Sequence, residues 1–180
     1  TLKSELLQGR IDRKGAGFRS RAFAASTEWL SIAQKIPGGA FVGNVMQQVP
    51  PMSWVGAAAL GLAKKRTPPS IAPRSFHTIA RNALNSAPAD PLGKVLLYID
   101  EFTDRFEPEL GLAAVELLQA GGYEVVAPVL GPSGRTYLSK GFVREARGYI
   151  RRNLEILRSF PDVDAIVGIE PSAVLTLLDE

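Results

Sequence analysis

The stretch KVLLYID, residues 94–100, decides the fold because it is a continuous apolar run that ends in an acid. Such a run without alternation is typical of a strand that is buried on both faces of a parallel sheet. Two similar runs follow, YEVVAPVL over residues 123–130 and DAIVGIE over residues 164–170. The sequence therefore predicts three strands, and the segments between them determine how they pair.

Helical patterns stand between these strands. EPELGLAAVELLQAGG, residues 107–122, opens close to a proline, repeats apolar residues at helical spacing and stops at two glycines. Its predicted apolar face holds Leu110, Ala113, Ala114, Leu117 and Leu118. LSKGFVREARGYIRRNLEILRSF, residues 138–160, predicts a second amphipathic helix. The apolar face of that helix holds Val143, Ala146, Ile150, Leu154 and Leu157.

The order of strands and helices predicts the fold class. Alternation of the two favours an α/β fold with an open parallel sheet, a Rossmann-like βαβαβ unit with right-handed crossovers. We expect this domain to span residues 93–180, with PSAVLTLLDE at residues 171–180 beginning a third helix.

Residues 1–92 are predicted to form an extended, mostly helical arm. SRAFAASTEWLSIAQKI, residues 20–36, has helical spacing and stops at Pro37-Gly38-Gly39. KKRTPPSIAPRS, residues 64–75, is basic, irregular and spaced by prolines. No pattern in the arm indicates a core of its own, so we expect it to wrap a neighbouring surface.

The charge is distributed unevenly along the chain. Residues 1–90 hold 12 Lys and Arg against 4 Asp and Glu, a net charge of +8, whereas residues 91–180 hold 9 against 14, a net charge of −5. A basic arm of this kind suits a nucleic acid, an anionic lipid surface or an acidic protein surface. Its aromatic residues Phe18, Phe23 and Trp29 are spaced like core or interface residues, which disfavours specific nucleic-acid binding.

Composition excludes several classes of site. The chain contains no Cys and one His, so disulfides, thiol chemistry and thiolate-held zinc or iron–sulfur centres within this chain are excluded. No apolar run approaches the roughly 20 residues that a membrane-spanning helix needs. The charged start has no secretory h-region, and the missing initiator Met suggests a chain cut from a longer protein.

In open parallel sheets, ligands bind beyond the carboxyl ends of the strands. Small and polar residues follow all three predicted strands at this edge, and we call the set the strand-end crevice. Its members are Asp100, Thr103, Ser133, Gly134, Arg135, Ser139, Lys140, Glu170 and Ser172.

Two interpretations of the crevice remain open at this point. In the first, Ser133, Gly134, Arg135 and Lys140 bind a small anion or nucleotide ahead of a helix, although GPSGR matches neither the Walker nor the dinucleotide pattern. In the second, the residues are structural: Gly134 supplies a special backbone angle, and Ser133 or Ser139 caps the helix. Arg135 then pairs with Asp100, Glu101 or Glu170 across the strand ends. No histidine, cysteine or activated serine accompanies the carboxylates, so the residues predict no catalytic group here.

Three segments carry a resemblance to a known family. VLLYIDEFTDRFEPELGLAAVELLQAGGYEV, residues 95–125, resembles the opening of the cysteine-rich "CCG" domain. SGRTYLSKGFVREAR, residues 133–147, is similar to the segment that usually reads Cys-Cys-Gly-Arg-Pro-Leu-x-Ser-Lys-Gly, and IVGIEPSAVLTLLDE, residues 166–180, to the Glu-Pro-Ser-Cys stretch with its following Asp-Glu pair. That domain occurs in iron–sulfur subunits of glycolate oxidase, D-lactate dehydrogenase and related FAD-linked oxidoreductases.

The chain departs from this family at the ligand positions. Pro132 and Ser133 stand where the double cysteine is expected, and Ala173 stands where the next cysteine is expected. Iron–sulfur clusters are held by thiolates, which these three residues cannot supply. The resemblance thus implies a domain that keeps the frame of its relatives without the cluster ligands, and therefore no metal and no cofactor in this chain.

The resemblance also implies a larger setting. The arm is similar to the helical linker that precedes the cysteine-rich part, and the chain would end inside the first of two half-repeats. The parent protein would carry FAD and 4Fe–4S clusters, would oxidise a 2-hydroxy acid such as D-lactate or glycolate, and would pass electrons to an acceptor. The partners of this segment would be the FAD-binding and ferredoxin-like domains, in the cytoplasm or at the inner face of the cytoplasmic membrane.

Overall fold

The computed structural model describes residues 2–50, 52–63 and 68–179. The basic run at residues 64–67 and the final Glu180 lie outside the described residues. The strands are β1 (Gly93–Tyr98), β2 (Tyr123–Val126) and β3 (Ala165–Gly168). The helices are α1 (Leu2–Lys14), α2 (Phe18–Ala24), α3 (Ser26–Lys35), α4 (Gly39–Gln48), α5 (Met52–Leu60), α6 (Phe76–Ile79), α7 (Arg81–Leu84), α8 (Glu101–Arg105), α9 (Pro108–Ala120), α10 (Arg135–Lys140), α11 (Val143–Arg158), α12 (Pro171–Val174) and α13 (Thr176–Asp179).

The three strands form one parallel sheet in the order β2-β1-β3. The α/β fold with an open parallel sheet is therefore confirmed. Because β2 and β3 lie on opposite sides of β1, the chain changes direction across the sheet between β1 and β3. That point is where α/β sheets open a crevice at their carboxyl edge.

Each strand is shorter than its apolar run. β2 ends at Val126, and not at Leu130, because Pro128 follows and proline has no N–H to donate to a strand ladder. β1 loses its last partner at Tyr98, which pairs with Gly168, so Ile99 and Asp100 lie beyond the ladder. The shortening leaves residues 127–134 as an irregular loop that is free to cross the strand ends.

Helices cover both faces of the sheet. On one face, Leu97 and Ile99 pack with Phe76 of α6 and Val115 of α9. On the other, Leu96 and Tyr98 pack with Leu157 of α11 and Ala173 of α12. The alternation of neighbouring β1 residues between two cores follows from the period of a strand and explains its unbroken apolar run.

Two helical predictions need correction. Residues 20–36 form two helices, since the chain leaves helical geometry at Ala25, which ends α2 and precedes α3. Residues 138–160 are likewise divided, because Gly141 has a φ of +84° and separates α10 from α11. The apolar face predicted for α11 is confirmed at Val143, Ala146, Ile150 and Leu157, which are buried.

The face predicted for α9 is wrong in part. Leu110 and Leu117 are exposed, whereas Gly111 and Val115 are buried. Gly111 lies directly against the Phe76 ring, since a Cβ built on it would come within 2.5 Å of Phe76 Cδ2. The close approach of α6 therefore selects the glycine face of α9 and turns two leucines outward.

The chain divides into two compact units, one of residues 1–73 and 136–143 and the other of residues 74–135 and 144–180. The division falls at 73/74 and not at the predicted 92/93. The reason is that Phe76 and Ala80, from the segment assigned to the arm, are fully buried in the core beside Leu97. The sheet unit thus begins before its first strand.

Within the first unit, helices α1–α3 bind the segment 136–143. Thr136 Oγ1 donates to the Ala24 carbonyl at 2.9 Å, and the Tyr137 hydroxyl donates to the Glu28 carboxylate. Both clusters of buried apolar residues in the described part of the chain belong to the second unit. Nothing among the described residues forms a helix that is long and apolar enough to cross a membrane.

Candidate functional site

The chain turns directly from β1 into α8 at Asp100. The Asp100 carboxylate accepts hydrogen bonds from the Phe102 and Thr103 amides, at 2.8 and 3.3 Å, and from Thr103 Oγ1 at 2.6 Å. Both Asp100 and Thr103 are buried. These bonds satisfy the free N–H groups of the first turn, so this pair of crevice residues acts as a helix cap.

Glu101 is the centre of the crevice and was not among the residues assigned to it from the sequence. Its carboxylate accepts the Ser133 amide N–H at 2.8 Å and the Ser133 hydroxyl at 3.0 Å. Burial raises the pKa of Glu101, the hydrogen bonds from Ser133 oppose that rise, and the nearby Asp100 adds to it. A single buried carboxylate thus ties the loop after β2 to the end of β1.

Asn153 of α11 forms hydrogen bonds to the loop that carries Ser133. Asn153 is fully buried, accepts the Gly131 amide at 2.8 Å, and donates to the carbonyls of Gly131 and Pro132 at 3.2 and 3.0 Å. Gly134 then takes a φ of +84°, as the sequence predicts for the turn, and lies against the Ala146 carbonyl. Both features explain why the loop has one defined path.

Thr176 contacts both Ser133 and Ala173, two of the positions at which the resemblance expects cysteines. Its Oγ1 lies 3.2 Å from the Ser133 carbonyl oxygen and 2.6 Å from the Ala173 carbonyl oxygen. Ser133 and Ala173 are both almost fully buried. Residues that are 40 positions apart in the sequence therefore meet around one hydroxyl group at the carboxyl edge of the sheet.

The outer wall of the crevice is an exposed ion pair. Arg135 Nη1 lies 3.3 Å from Glu170 Oε1, and the Arg135 guanidinium lies over the Phe102 ring at 5.5 Å from its centroid. The Ser172 hydroxyl donates to Glu170 and is the main cause of its lowered pKa, with a smaller contribution from Arg135. Of the acids proposed as partners for Arg135, Glu170 is the one that pairs with it.

Ser139 and Lys140 belong to the first unit, where each has a partner. The Ser139 hydroxyl donates to the Thr136 carbonyl at 2.9 Å within α10, and Lys140 Nζ lies 4.8 Å from the Phe23 ring centroid. The capping role falls to Ser133, whose Oγ accepts the Arg135 amide at 3.3 Å. The other seven crevice residues lie in the second unit, at the strand ends.

Tyr98 adds a buried phenol beneath these groups. Its hydroxyl is buried and has no partner at hydrogen-bond distance among the described residues. Burial raises the Tyr98 pKa, the charges of Glu101 and Asp100 raise it further, and the side chain of Asn153 opposes the rise. Tyr98 is therefore a neutral phenol at any physiological pH.

Sequence reasoning missed Asn153, Thr176 and Tyr98 as members of this cluster, and it named Glu101 as a strand-end acid without including it in the crevice. Glu101 is adjacent to Asp100 at a strand end, which is a usable signal. Asn153 stands out as a polar residue at helical spacing from the apolar positions Ala146, Ile150 and Leu157, and this pattern marks an internal hydrogen-bonding role.

The arrangement limits the chemistry of the crevice. Both donors of Ser133 already serve the Glu101 carboxyl group, so an anion at this turn would have to displace Glu101 from both. The described residues contain no group of three His, Asp or Glu side chains that could hold a metal ion. An iron–sulfur cluster does not fit, because Ser133 is engaged with Glu101, Ala173 has only a methyl group, and the sequence has no Cys.

Comparison with known proteins gives no relative. No family model, no curated protein and no solved structure matches this chain.

Proposed function

We propose that this chain is the docking segment of an FAD-linked, iron–sulfur oxidoreductase of the glycolate oxidase or D-lactate dehydrogenase type, and that it carries no catalytic group or cofactor. The second unit corresponds to a cysteine-rich domain without its cysteines. The parent protein oxidises a 2-hydroxy acid in the cytoplasm and transfers the electrons through FAD and iron–sulfur clusters in neighbouring domains.

The observation that carries the proposal is the meeting of the former ligand positions. Resemblance assigns Pro132, Ser133 and Ala173 to one metal centre, although they come from two distant parts of the sequence. The shared contacts of Thr176 with Ser133 and Ala173 bring these parts together, which supports that assignment. Both parts follow strands of one parallel sheet at its carboxyl edge, and their proximity there is what a shared centre requires.

The buried hydrogen bonds of the crevice support a structural role in this chain. The Glu101–Ser133 pair and the Asn153 anchor use polar groups that would otherwise face the metal centre or solvent. Because a buried, satisfied network rigidifies the loop that carries it, the segment can hold neighbouring modules at a fixed distance without taking part in electron transfer.

Restoring the thiols tests the assignment of the centre. We expect the triple variant Pro132→Cys, Ser133→Cys and Ala173→Cys to bind Co²⁺ with the near-ultraviolet charge-transfer absorption of cobalt–thiolate bonds, since the three sulfur atoms would lie around one point. The natural chain should bind neither Co²⁺ nor iron and sulfide under the same anaerobic conditions.

A matched variant controls for adventitious thiol binding. Three cysteines placed at the exposed positions Arg144, Arg151 and Arg158 of α11 leave the crevice intact and should give no such absorption. Equal cobalt binding by both triple variants would refute the shared centre. So would an iron-containing, coloured preparation of the natural chain.

The reading frame that encodes the segment tests the parentage. We expect a Cys-x-x-Cys-x-x-Cys run upstream and an FAD-binding domain in the same polypeptide or a neighbouring subunit. A frame that joins the segment to unrelated domains would reject the oxidoreductase assignment.

A further inference from the structure

Helix α4 in the first unit has its apolar side turned outward. Its large apolar side chains are all exposed, with Phe41 at 72% and Val42 at 53% of their full accessibility. The exposed row on α4 and the residue after it consists of Phe41, Val42, Val45, Met46 and Val49. In an ordinary surface helix this apolar face would be the buried one.

The inward side of α4 is held by polar and small residues. Asn44 Nδ2 donates to the Ile71 carbonyl at 2.8 Å, and Asn44 Oδ1 accepts the Ile71 amide at 2.7 Å. Gly43 allows Ile71 to approach, since a Cβ built on it would lie 3.2 Å from Ile71 Cδ1. The paired bonds fix the rotation of α4, so its apolar side cannot turn inward without breaking them.

Helix α3 is oriented in the same way, with its amide side chain turned inward and its large apolar side chains exposed. Gln34 donates to the Ala72 carbonyl at 2.8 Å, while Trp29 and Ile32 are exposed on the opposite side of the helix. Because α3 and α4 both turn their amide side chains toward residues 71–72, their apolar faces lie on the same, outer side. We call Trp29, Ile32, Ile36 and the exposed row of α4 the outer apolar face; Trp54 and Val55 of α5 are exposed in the same unit.

The sequence that carries this face is mainly basic, and its nearest acid, Glu28 beside Trp29, accepts hydrogen bonds from the Thr27 and Tyr137 hydroxyls. Residues 36–63 contain no charged side chain, and residues 29–73 contain no Asp or Glu. Lys35 precedes the uncharged stretch and Lys64, Lys65 and Arg66 follow it in the sequence. Over residues 1–73 there are 10 Lys and Arg against 3 Asp and Glu, a net charge of +7.

We propose that the outer apolar face binds the surface of an anionic lipid bilayer, with α3 and α4 lying in the plane of the interface. An exposed apolar helix face next to basic residues partitions into the boundary between headgroups and acyl chains. Trp29 on this face is exposed, as is Trp54 of α5, and tryptophan prefers that boundary. The net positive charge of residues 1–73 attracts anionic headgroups.

The charge pattern favours a bilayer over a protein partner. Protein interfaces are also apolar at their centre, but their rims are polar and carry charges of both signs that set register. Here the whole stretch from residue 29 to residue 73 offers basic side chains and no acid. A surface of uniformly negative headgroups is the partner that a stretch of this composition matches.

Vesicle binding tests the proposal with the chain as it exists. We expect co-sedimentation with vesicles of phosphatidylcholine and phosphatidylglycerol, weaker binding to phosphatidylcholine alone, and weaker binding to both at high salt. Tryptophan emission should shift to shorter wavelength on binding and be quenched by brominated acyl chains. Val45→Asp should weaken binding about tenfold or more, because it removes an apolar contact and inserts a charge.

Leu117→Asp is the matched control, since Leu117 is an equally apolar exposed residue on α9 of the other unit. It should leave vesicle binding unchanged, and far-UV circular dichroism should show both variants folded. Phe41→Ser provides a second, uncharged change on the same face and should weaken binding in the same direction. No binding to anionic vesicles, or equal binding by the natural chain and Val45→Asp, would overturn the proposal.

The other possible occupants of the face give distinct results. A concentration-dependent dimer in solution that Val45→Asp abolishes, without vesicle binding, would assign the face to a second copy and refute the bilayer. The thiol-restoration experiment reads a different unit of the chain, so failure there leaves the vesicle result intact, and the reverse also holds.

Discussion

At the scale of single residues, the protonation of Glu101 is coupled to folding. Burial raises the Glu101 pKa in the folded chain, so between about pH 4.5 and the raised value the folded state binds more protons than the unfolded state. Stability must therefore fall as the pH rises through this window. The loss amounts to about 1.4 kcal/mol for each unit by which the pKa is raised.

Glu101→Gln should remove this pH dependence. The amide can still accept the Ser133 N–H and donate to the Ser133 hydroxyl oxygen, so the loop keeps its bonds while the titrating group disappears. Urea unfolding from about pH 4 to pH 8 should show a flatter stability profile than the natural chain. Glu116→Gln, at an exposed position of α9, should leave the profile unchanged, and equal slopes in all three proteins would contradict the coupling.

Gly134 supports a second residue-scale prediction. Gly134→Ala places a Cβ at a φ of +84° and 3.1 Å from the Ala146 carbonyl oxygen, so it should lower the free energy of unfolding by about 1–2 kcal/mol. Gly148→Ala is the control, because Gly148 is exposed within α11 with open space around it. That change should raise stability by up to about 1 kcal/mol. Denaturant unfolding measures both, and a stabilising Gly134→Ala would refute the argument.

The two residues differ in how far the sequence reveals them. The special angle of Gly134 follows from local turn chemistry, which the sequence contains. The hydrogen bonds of Ser133 to Glu101 join residues 32 positions apart, and that pairing depends on how the loop after β2 crosses the sheet. Such a long-range pair leaves no local signal.

At the scale of elements, Asn153 attaches to α11 the loop that carries Pro132 and Ser133. Asn153→Ala would remove the partner of the Gly131 amide and of the Gly131 and Pro132 carbonyls, and would leave a space at a fully buried position. We expect a loss of about 2–3 kcal/mol in the free energy of unfolding. Arg152→Ala, on the exposed side of the same helix, should change stability by no more than about 0.5 kcal/mol. Similar unfolding midpoints for the two variants would show that the anchor is not structural.

The existence of the strands and their parallel order could be predicted, because unbroken apolar runs alternated with helical patterns. Their ends could not, because a strand stops where its neighbour stops and Tyr98 has no further partner on β3 beyond Gly168. The face of α9 could not be read from hydrophobicity either. Its orientation depends on the Phe76 ring against Gly111, a contact that belongs to the tertiary fold.

At the scale of the whole molecule, the two units differ in how they are stabilised. The second unit holds both buried apolar clusters of the described chain, whereas α4 of the first unit is held to residue 71 by the paired Asn44 bonds. Both tryptophans lie in the first unit, so their fluorescence reports on it alone. In urea we expect the fluorescence transition to precede the main loss of far-UV circular dichroism.

Ile99→Val controls this prediction. Ile99 lies in a core of the second unit, so its truncation should shift only the later transition, by about 0.5–1.5 kcal/mol. Superimposable fluorescence and circular-dichroism curves in the natural chain would mean that the units unfold together.

The arrangement of the whole chain was predicted less well than its fold class. The sequence assigns segment 76–84 to the arm because no pattern before residue 93 indicates a core of its own. Nothing local reveals that Phe76 completes a core with Val115, nor that residues 136–143 leave the sheet unit to join α1–α3.

Strand β3 has a consequence for the behaviour of concentrated solutions. It is bonded to β1 along one side, and among the described residues no strand covers the other, while Ile166 and Val167 remain partly exposed. A free backbone ladder with apolar side chains recruits further strands, so purified protein should aggregate through intermolecular sheet formation as its concentration rises. Ile166→Lys places a charge on the free edge of β3 and should delay turbidity and thioflavin-T binding. An unchanged onset of aggregation would show that the chains associate through another surface.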